Sequence, residues 1–365
     1  MEKRDYKDIL IQTVNETYPK YFKHNLIKQF EKESLVYCKN SSIHEADAID
    51  LRGIDEDRQL EKCINKSDEI IKEIEKKEIL GRFRYAAFFD IHNLNFDDLE
   101  SLIKEMKILD PETNEFENDK LFPVIDSSAV PTKYKMEGNM IVLKFNRLLT
   151  GYAQIDDDSK RSIKYNVLAI IYKDLNVLEI RFDSVKSFLN NDGEFFYVKQ
   201  VEAVLDWISE NFGCELEALN LEPIVEKIKK NTEFICDKGQ RKVTLEIGDN
   251  EENILPILGE LKELMKSNQD LFNNSTEMKN LLEDFILETE AITDLPWLTL
   301  TCKDGSKLKA AKVRFDFNYK RQEYSLLKYC WNDKMKTERM NNVARYLIKN
   351  RVISDEECVN EALEK

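Results

Sequence analysis

The sequence predicts an α+β protein with a helical N-terminal unit, a central antiparallel sheet with flanking helices, and a strand-rich basic C-terminal unit ending in helices. Three observations predict it. Apolar residues recur at helical spacing through most of the first hundred or so positions. Period-two alternation then takes over around residues 140–185 and returns around 297–320. The length of 365 residues exceeds a single core, so two or three packed units are expected. The boundaries fall at 1–120, 121–295 and 296–365, the first at the acidic, turn-rich stretch Asp110–Lys120.

In the N-terminal unit, Tyr6, Ile9, Leu10 and Val14 form one helical stripe, and Tyr21, Phe22, Leu26, Ile27 and Phe30 form a second after Pro19. The charged stretch Glu45–Asp57 reads as a loop. Ile64, Ile70, Ile71, Ile74 and Ile79 place one helix over Leu60–Leu80. Phe83–Ile91 is almost continuously apolar and reads as a buried strand. Helix returns over Asp97–Leu109, with Asn95 as its cap and Leu99, Leu102, Ile103 and Met106 on its core face.

In the central unit, Ile141, Leu143 and Phe145 alternate with Val142, Lys144 and Asn146. Ile163–Tyr172 and Val177–Val185 flank the turn Lys173-Asp174-Leu175-Asn176 and read as a hairpin. A short aromatic piece, Phe195–Val198, leads into a helix carrying Val201, Val204, Leu205, Ile208 and Phe212. Two further helices are expected, one with Ile257, Leu258, Leu261, Leu264 and Met265 after Pro256, one with Leu281, Leu282, Phe285 and Ile286 opened by Asn274 and Glu277.

The C-terminal unit begins with Trp297–Cys302, an Asp304-Gly305 turn, and a strand over 312–320 in which Val313, Phe315, Phe317 and Tyr319 face a core. Tyr324–Trp331 is expected to pair with it. Met340, Val343, Ala344 and Leu347 mark a helix, and Ser354 with Glu357 opens a short terminal one. Ile180-Arg181-Phe182-Asp183 echoes Val313-Arg314-Phe315-Asp316, a four-residue similarity that chance supplies easily.

Composition excludes several classes. The seven cysteines are dispersed, odd in number and never at CxxC spacing, which argues against a disulfide framework and for a reducing compartment. The three histidines, His24, His44 and His92, are scattered, and no metal or cofactor is expected. There is no signal-peptide pattern after Met1 and no apolar run of bilayer length, so a soluble, cytoplasmic protein is expected. Walker, GxGxxG, GxSxG, HExxH and EF-hand patterns are absent, and glycine is sparse, which disfavours phosphate-cradling loops.

The net charge of −15 conceals an asymmetry: Thr301–Arg351 holds fourteen basic against five acidic residues. On the predicted strand, Lys312, Arg314 and Lys320 face outward, with Arg321 and Lys328 close behind, and such a row can neutralise phosphates. Tyr324, Tyr329 and Trp331 could stack on bases if exposed. The competing readings are protection of an edge strand and pairing with the preceding acidic helices.

Catalytic candidates are few. Asp156-Asp157-Asp158 could hold Mg²⁺, and Asp157 or Asp158 with Glu179 and Arg181 resembles the acid-acid-cation set of a metal-dependent nuclease, with Arg in place of Lys. Solvated turn composition and exposed polar positions explain the same residues. Asp90 and His92 share one strand face, as a carboxylate and a general base would.

The reading these observations favour is a non-enzymatic binding or regulatory subunit of an intracellular assembly, with a protein partner or a second copy as its ligand. The alternative is a nucleic-acid-binding protein contacting its ligand through residues 301–351, with a divergent nuclease as its catalytic form. The Lys-, Asn-, Ile- and Glu-rich usage matches an AT-rich microbial genome, whose accessory systems, antiviral defence among them, hold many such chains.

Overall fold

The structure, a computed structural model, describes residues 3–38, 47–79, 83–106, 108, 131–152, 160–190, 193–230, 241–246, 261, 263–265, 267–268, 281–282, 286, 297–304, 307–330 and 337–351. It is an α+β fold. In chain order the first elements are α1 (Lys3–Thr17), α2 (Lys20–Lys32), β1 (Val36–Tyr37), β2 (Ile49–Asp50), α3 (Glu56–Lys66), α4 (Asp68–Ile79), β3 (Tyr85–His92) and α5 (Phe96–Glu105). Then come β4 (Pro131–Glu137), β5 (Met140–Tyr152), β6 (Lys160–Tyr172), β7 (Val177–Phe182), α6 (Phe196–Phe212), β8 (Glu215–Ala218) and α7 (Leu221–Lys230). The last are β9 (Arg241–Glu246), β10 (Trp297–Asp304), β11 (Lys307–Asp316), β12 (Leu326–Cys330) and α8 (Thr337–Lys349). Among the described residues no helix is long and apolar enough to cross a membrane.

The chain divides into two compact units built from interleaved segments: 1–81, 94–170 and 183–214 form the first, and 82–93, 171–182 and 215–365 the second. In the first, the helical stripes of the N-terminal third meet in one core of Tyr6, Leu10, Val14, Leu26, Phe30, Leu60, Ile64, Ile71 and Ile74. Each such side chain contributes roughly 1.5–3 kcal/mol on burial, which adds to the good helix propensity of the lysine and glutamate residues around it. The single helix expected over Leu60–Leu80 is two helices. Ser67 has extended backbone (φ −137°, ψ 125°) and ends α3, and Asp68 and Glu69 open α4 with the acidic first turn that suits a helix N-terminus. The loop expected over Glu45–Asp57 contains β2, which pairs in parallel with β1.

β4 and β5 form an antiparallel pair closed by Gly138, whose φ of 59° suits glycine. β5 is buried on both faces over most of its length, the alternating Val142, Lys144 and Asn146 included. Its odd residues meet α6: Phe145 packs edge-on to Trp207 at 5.5 Å and Arg147 donates to Gln200 Oε1 at 2.6 Å. Its even residue Lys144 meets α4. Phe196 already lies in α6 and packs edge-on to Tyr165 at 5.4 Å. The start of β6 is also bonded to α1, with Ser162 N–H donating to Gln12 Oε1 at 2.7 Å and Lys164 N–H to Thr13 Oγ1 at 2.8 Å.

The second unit is an antiparallel sheet in the order β7-β3-β12-β11-β10-β9. β3 is its hinge in sequence, pairing with β7 over Tyr85–Asp90 on one edge. The other edge is shared: β12 takes Tyr85 and Ala86, and β8 takes Phe89–His92. The turn expected before β7 is closed by Leu175 N–H donating to Tyr172 C=O at 3.1 Å, with Asn176 in the left-handed region that asparagine tolerates. Helix α8 packs on β10, β11 and α7 through Met340, Val343, Ala344, Leu347 and Ile348.

Candidate functional site

Five cations near the C-terminus stand out in the sequence: Lys312, Arg314, Lys320, Arg321 and Lys328. β11 ends at Asp316, so the strand expected to continue to Lys320 does not; Phe317 and Asn318 turn the chain and Tyr319–Arg321 form a 3-10 turn. Arg314 and Lys328 are register partners on β11 and β12, so both side chains leave the same face of the sheet. That cross-strand row runs Glu246, Trp297, Arg314, Lys328, Tyr85, Phe182 through the whole sheet. The Lys328 ammonium lies 6.0 Å from the Tyr85 ring centre, and Tyr85 packs on Phe182 at 5.7 Å. Lys312 sits further along β11, opposite Cys330.

Neither β11 nor β12 is an edge strand, each being paired on both sides. Protection of an edge therefore does not account for their cations. The acids nearby are Asp316 and the exposed Glu323. Burial pushes the Asp316 carboxyl above its usual range, while Lys320 and Lys328 pull against that shift.

Lys320 and Arg321 are exposed at the tip of the β11–β12 connection. Asn318, Lys320 and Arg321 all have positive φ, at 51°, 52° and 66°. The turn is held by Arg321 N–H to Asn318 C=O at 2.9 Å, Gln322 N–H to Tyr319 C=O at 3.0 Å and Tyr319 N–H to Tyr324 C=O at 3.2 Å. Tyr324 is itself buried against Phe89, with ring centres 5.5 Å apart. Tyr329 is also interior, which removes it and Tyr324 as exposed stacking platforms; Trp331 lies outside the described residues.

Glu179 and Arg181 are interior rather than exposed, each with 0% accessibility. Arg181 Nε and Nη2 donate to Glu179 Oε1 at 2.6 Å and Oε2 at 2.7 Å, a bidentate pair. Tyr172 donates to Glu179 Oε2 at 2.7 Å and Tyr329 to Oε1 at 3.3 Å. Burial works against the Arg181 charge, but the adjoining Glu179 carboxylate together with Tyr172 and Tyr329 more than reverses it and holds the guanidinium charged. Burial, and then the same carboxylate, keep Tyr172 and Tyr329 neutral as donors. This face lies under α8, whose Arg345 stacks over Tyr172 at 5.2 Å and pairs with Asp174 at 2.8 Å.

Asp156, Asp157 and Asp158 lie outside the described residues. Asp90 and His92 have separate partners: Arg351 donates to Asp90 Oδ1 at 2.9 Å, and His92 Nε2 lies 3.4 Å from Glu217 on β8. The echo between residues 180–183 and 313–316 is out of phase, because Arg181 shares its cross-strand row with Ala86, Leu327 and Phe315 while Arg314 shares its row with Phe182.

The first unit holds a second buried charge cluster that sequence reading missed. Lys144 on β5 and Lys164 on β6 both reach Glu78 Oε2, at 2.8 and 2.7 Å. Lys164 also donates to Tyr6 Oη at 3.0 Å, and the Tyr6 hydroxyl donates to Glu75. Two lysines against two glutamates leave the cluster neutral. The signal was available: a lone lysine inside each of the apolar runs Ile141–Phe145 and Ile163–Ile171 implies a buried, paired ammonium. No group of three or more His, Cys, Asp or Glu positioned for a metal occurs among the described residues. Cys63 is buried and its thiol is pushed up to about 12, which makes it inert at neutral pH.

No family model, curated protein or solved structure matches the chain.

Proposed function

We propose that the protein is a non-enzymatic binding or regulatory subunit that acts within a larger assembly. What carries the reading is the state of its interior acid and base groups. Glu179, Arg181, Glu75, Glu78, Lys144 and Lys164 are buried and paired in two clusters, with Arg181 Nη1 left without a hydrogen-bond partner, and the geometry pairs the ions with one another rather than presenting them to a substrate. A general acid or base must reach the group it serves, and these do not. A nuclease built on Asp157, Asp158 and Glu179 would have to take Glu179 out of its bonds to Arg181, Tyr172 and Tyr329. The supporting feature in the sequence is a charge asymmetry that suits docking to an acidic partner or a second copy, with the basic stretch 301–351 on an acidic chain.

The test is a turnover assay on the pure chain with labelled DNA and RNA in Mg²⁺ and Mn²⁺. No cleavage is expected. Cleavage lost in a folded Glu179→Gln variant would overturn the proposal.

A further inference from the structure

In the first unit, helix α1 is bonded to strand β6 at two heights by the same strand residue. Ser162 and Lys164 lie two apart on β6, so their N–H groups leave the same edge of the strand. Gln12 and Thr13 of α1 accept those two donors at 2.7 and 2.8 Å. The Thr13 hydroxyl is oriented by its own donation to Ile9 C=O at 2.7 Å, which turns an oxygen lone pair toward Lys164 N–H. The Lys164 ammonium donates to Tyr6 Oη at 3.0 Å, about two turns earlier on the same helix. Lys164 therefore meets α1 through its backbone at Thr13 and through its side chain at Tyr6.

Helix α4 is tied to the same place. Glu78 Oε2 takes Lys144 of β5 at 2.8 Å and Lys164 of β6 at 2.7 Å, and Glu75 takes the Tyr6 hydroxyl. The apolar residues of these helices do not define that position by themselves. A slide of one turn, about 5.4 Å, carries Ile74 to the place of Ile70 in α4, and Val14 to the place of Leu10 in α1. Both exchanges put one buried aliphatic side chain where another stood, and apolar burial is non-directional. The same slide takes Glu78 away from both ammonium groups and Thr13 away from Lys164 N–H, all of them interior. Breaking buried ion pairs is strongly unfavourable, so the polar contacts single out one position among those the apolar stripes accept.

We propose that this buried polar cluster is a register device, which sets the axial position of α1 and α4 on β5 and β6. Apolar groups of similar volume often match or exceed the stability of buried ion pairs. The presence of Glu75, Glu78, Lys144 and Lys164 in the core is accordingly explained by position. The device belongs to the interior of the first unit and is independent of the reading as an assembly subunit.

The experiment compares the full chain with E75Q/E78L/K144M/K164M, which is neutral like the native cluster and keeps Tyr6, Gln12 and Thr13. A second variant, E78L/K144M, is also neutral and keeps the chain from Lys164 through Tyr6 to Glu75. Urea titration measures global stability, and hydrogen exchange by NMR reads the amides of residues 162 and 164, corrected for intrinsic rates. The four-residue variant is expected to unfold cooperatively at a urea midpoint no lower than wild type. Its amides at 162 and 164 should nevertheless exchange tenfold or more faster, as α1 leaves the position that places Gln12 and Thr13 against them. The β3–β7 amides of the second unit should keep their wild-type rates. In E78L/K144M the amides at 162 and 164 should stay protected, because Lys164 still holds Tyr6. Wild-type protection at both amides in the four-residue variant would show that apolar packing sets the register, and would overturn the proposal. Loss of cooperative unfolding in that variant, which would make the cluster a source of stability, or equal loss of protection in E78L/K144M would also overturn it.

Discussion

Arg181 and Glu179 are the residues at which composition misleads most. An acid and a base two positions apart on a hairpin resemble half of a catalytic set, yet their burial and bidentate geometry make them a neutral unit inside the sheet. Removing one partner strands the other. Arg181→Met is expected to destabilise the fold by about 3–5 kcal/mol, whereas Arg181→Met with Glu179→Leu should recover most of the loss. Urea titration of the two single variants and the double variant measures the coupling, and additive losses would contradict the pairing. Asp316 offers a test in pH. Its folded pKa is raised, so its ionisation costs stability as pH rises from the ordinary carboxylate range through the raised value. Asp316→Asn should therefore be more stable than wild type at pH 7. The advantage should shrink as pH falls and the wild-type carboxyl takes up its proton, and a difference that is constant with pH would refute the assignment.

At the scale of elements, helices with a clear apolar stripe were legible, and so were β3, β5, β11 and β12, because periodicity records which face is covered. What periodicity did not reveal was covering on both faces. In β5, Lys144 and Asn146 alternate with apolar residues, yet both sets are buried: α6 takes the odd residues and α4 receives Lys144. The break at Ser67 and the end of β11 at Asp316 were missed for a shared reason: apolar residues continue at acceptable spacing past each boundary, and local backbone geometry decides the ending. The cluster around Glu78 ties α4 to β5 and β6. Glu78→Gln removes the charge facing two buried ammonium groups and should destabilise the protein by about 3–5 kcal/mol. The measurement is a guanidinium titration followed by tryptophan fluorescence, which Trp207 of α6 reports from its packing on Phe145. A loss under about 1 kcal/mol would mean that the lysines find other partners.

For the whole molecule, the α+β class followed from element types, whereas the pairing that builds the second unit did not. β3 belongs in sequence to the helical third and pairs with strands about ninety and two hundred and forty residues further on. Pairing of that range leaves no local mark, since a buried strand reads the same whichever partners flank it. The candidate site was half legible: the cations were found from charge alone, but their face-to-face placement and the strained turn that carries Lys320 and Arg321 exist only in three dimensions. Among the described residues, both units bury charged clusters as paired sets. The most direct test of a subunit role is light scattering coupled to size exclusion on the protein isolated at native expression level. A subunit should run as a particle heavier than the 43.0 kDa chain, formed with itself or with a stoichiometric partner. A lone 43.0 kDa particle that sustains turnover of a substrate would contradict that role.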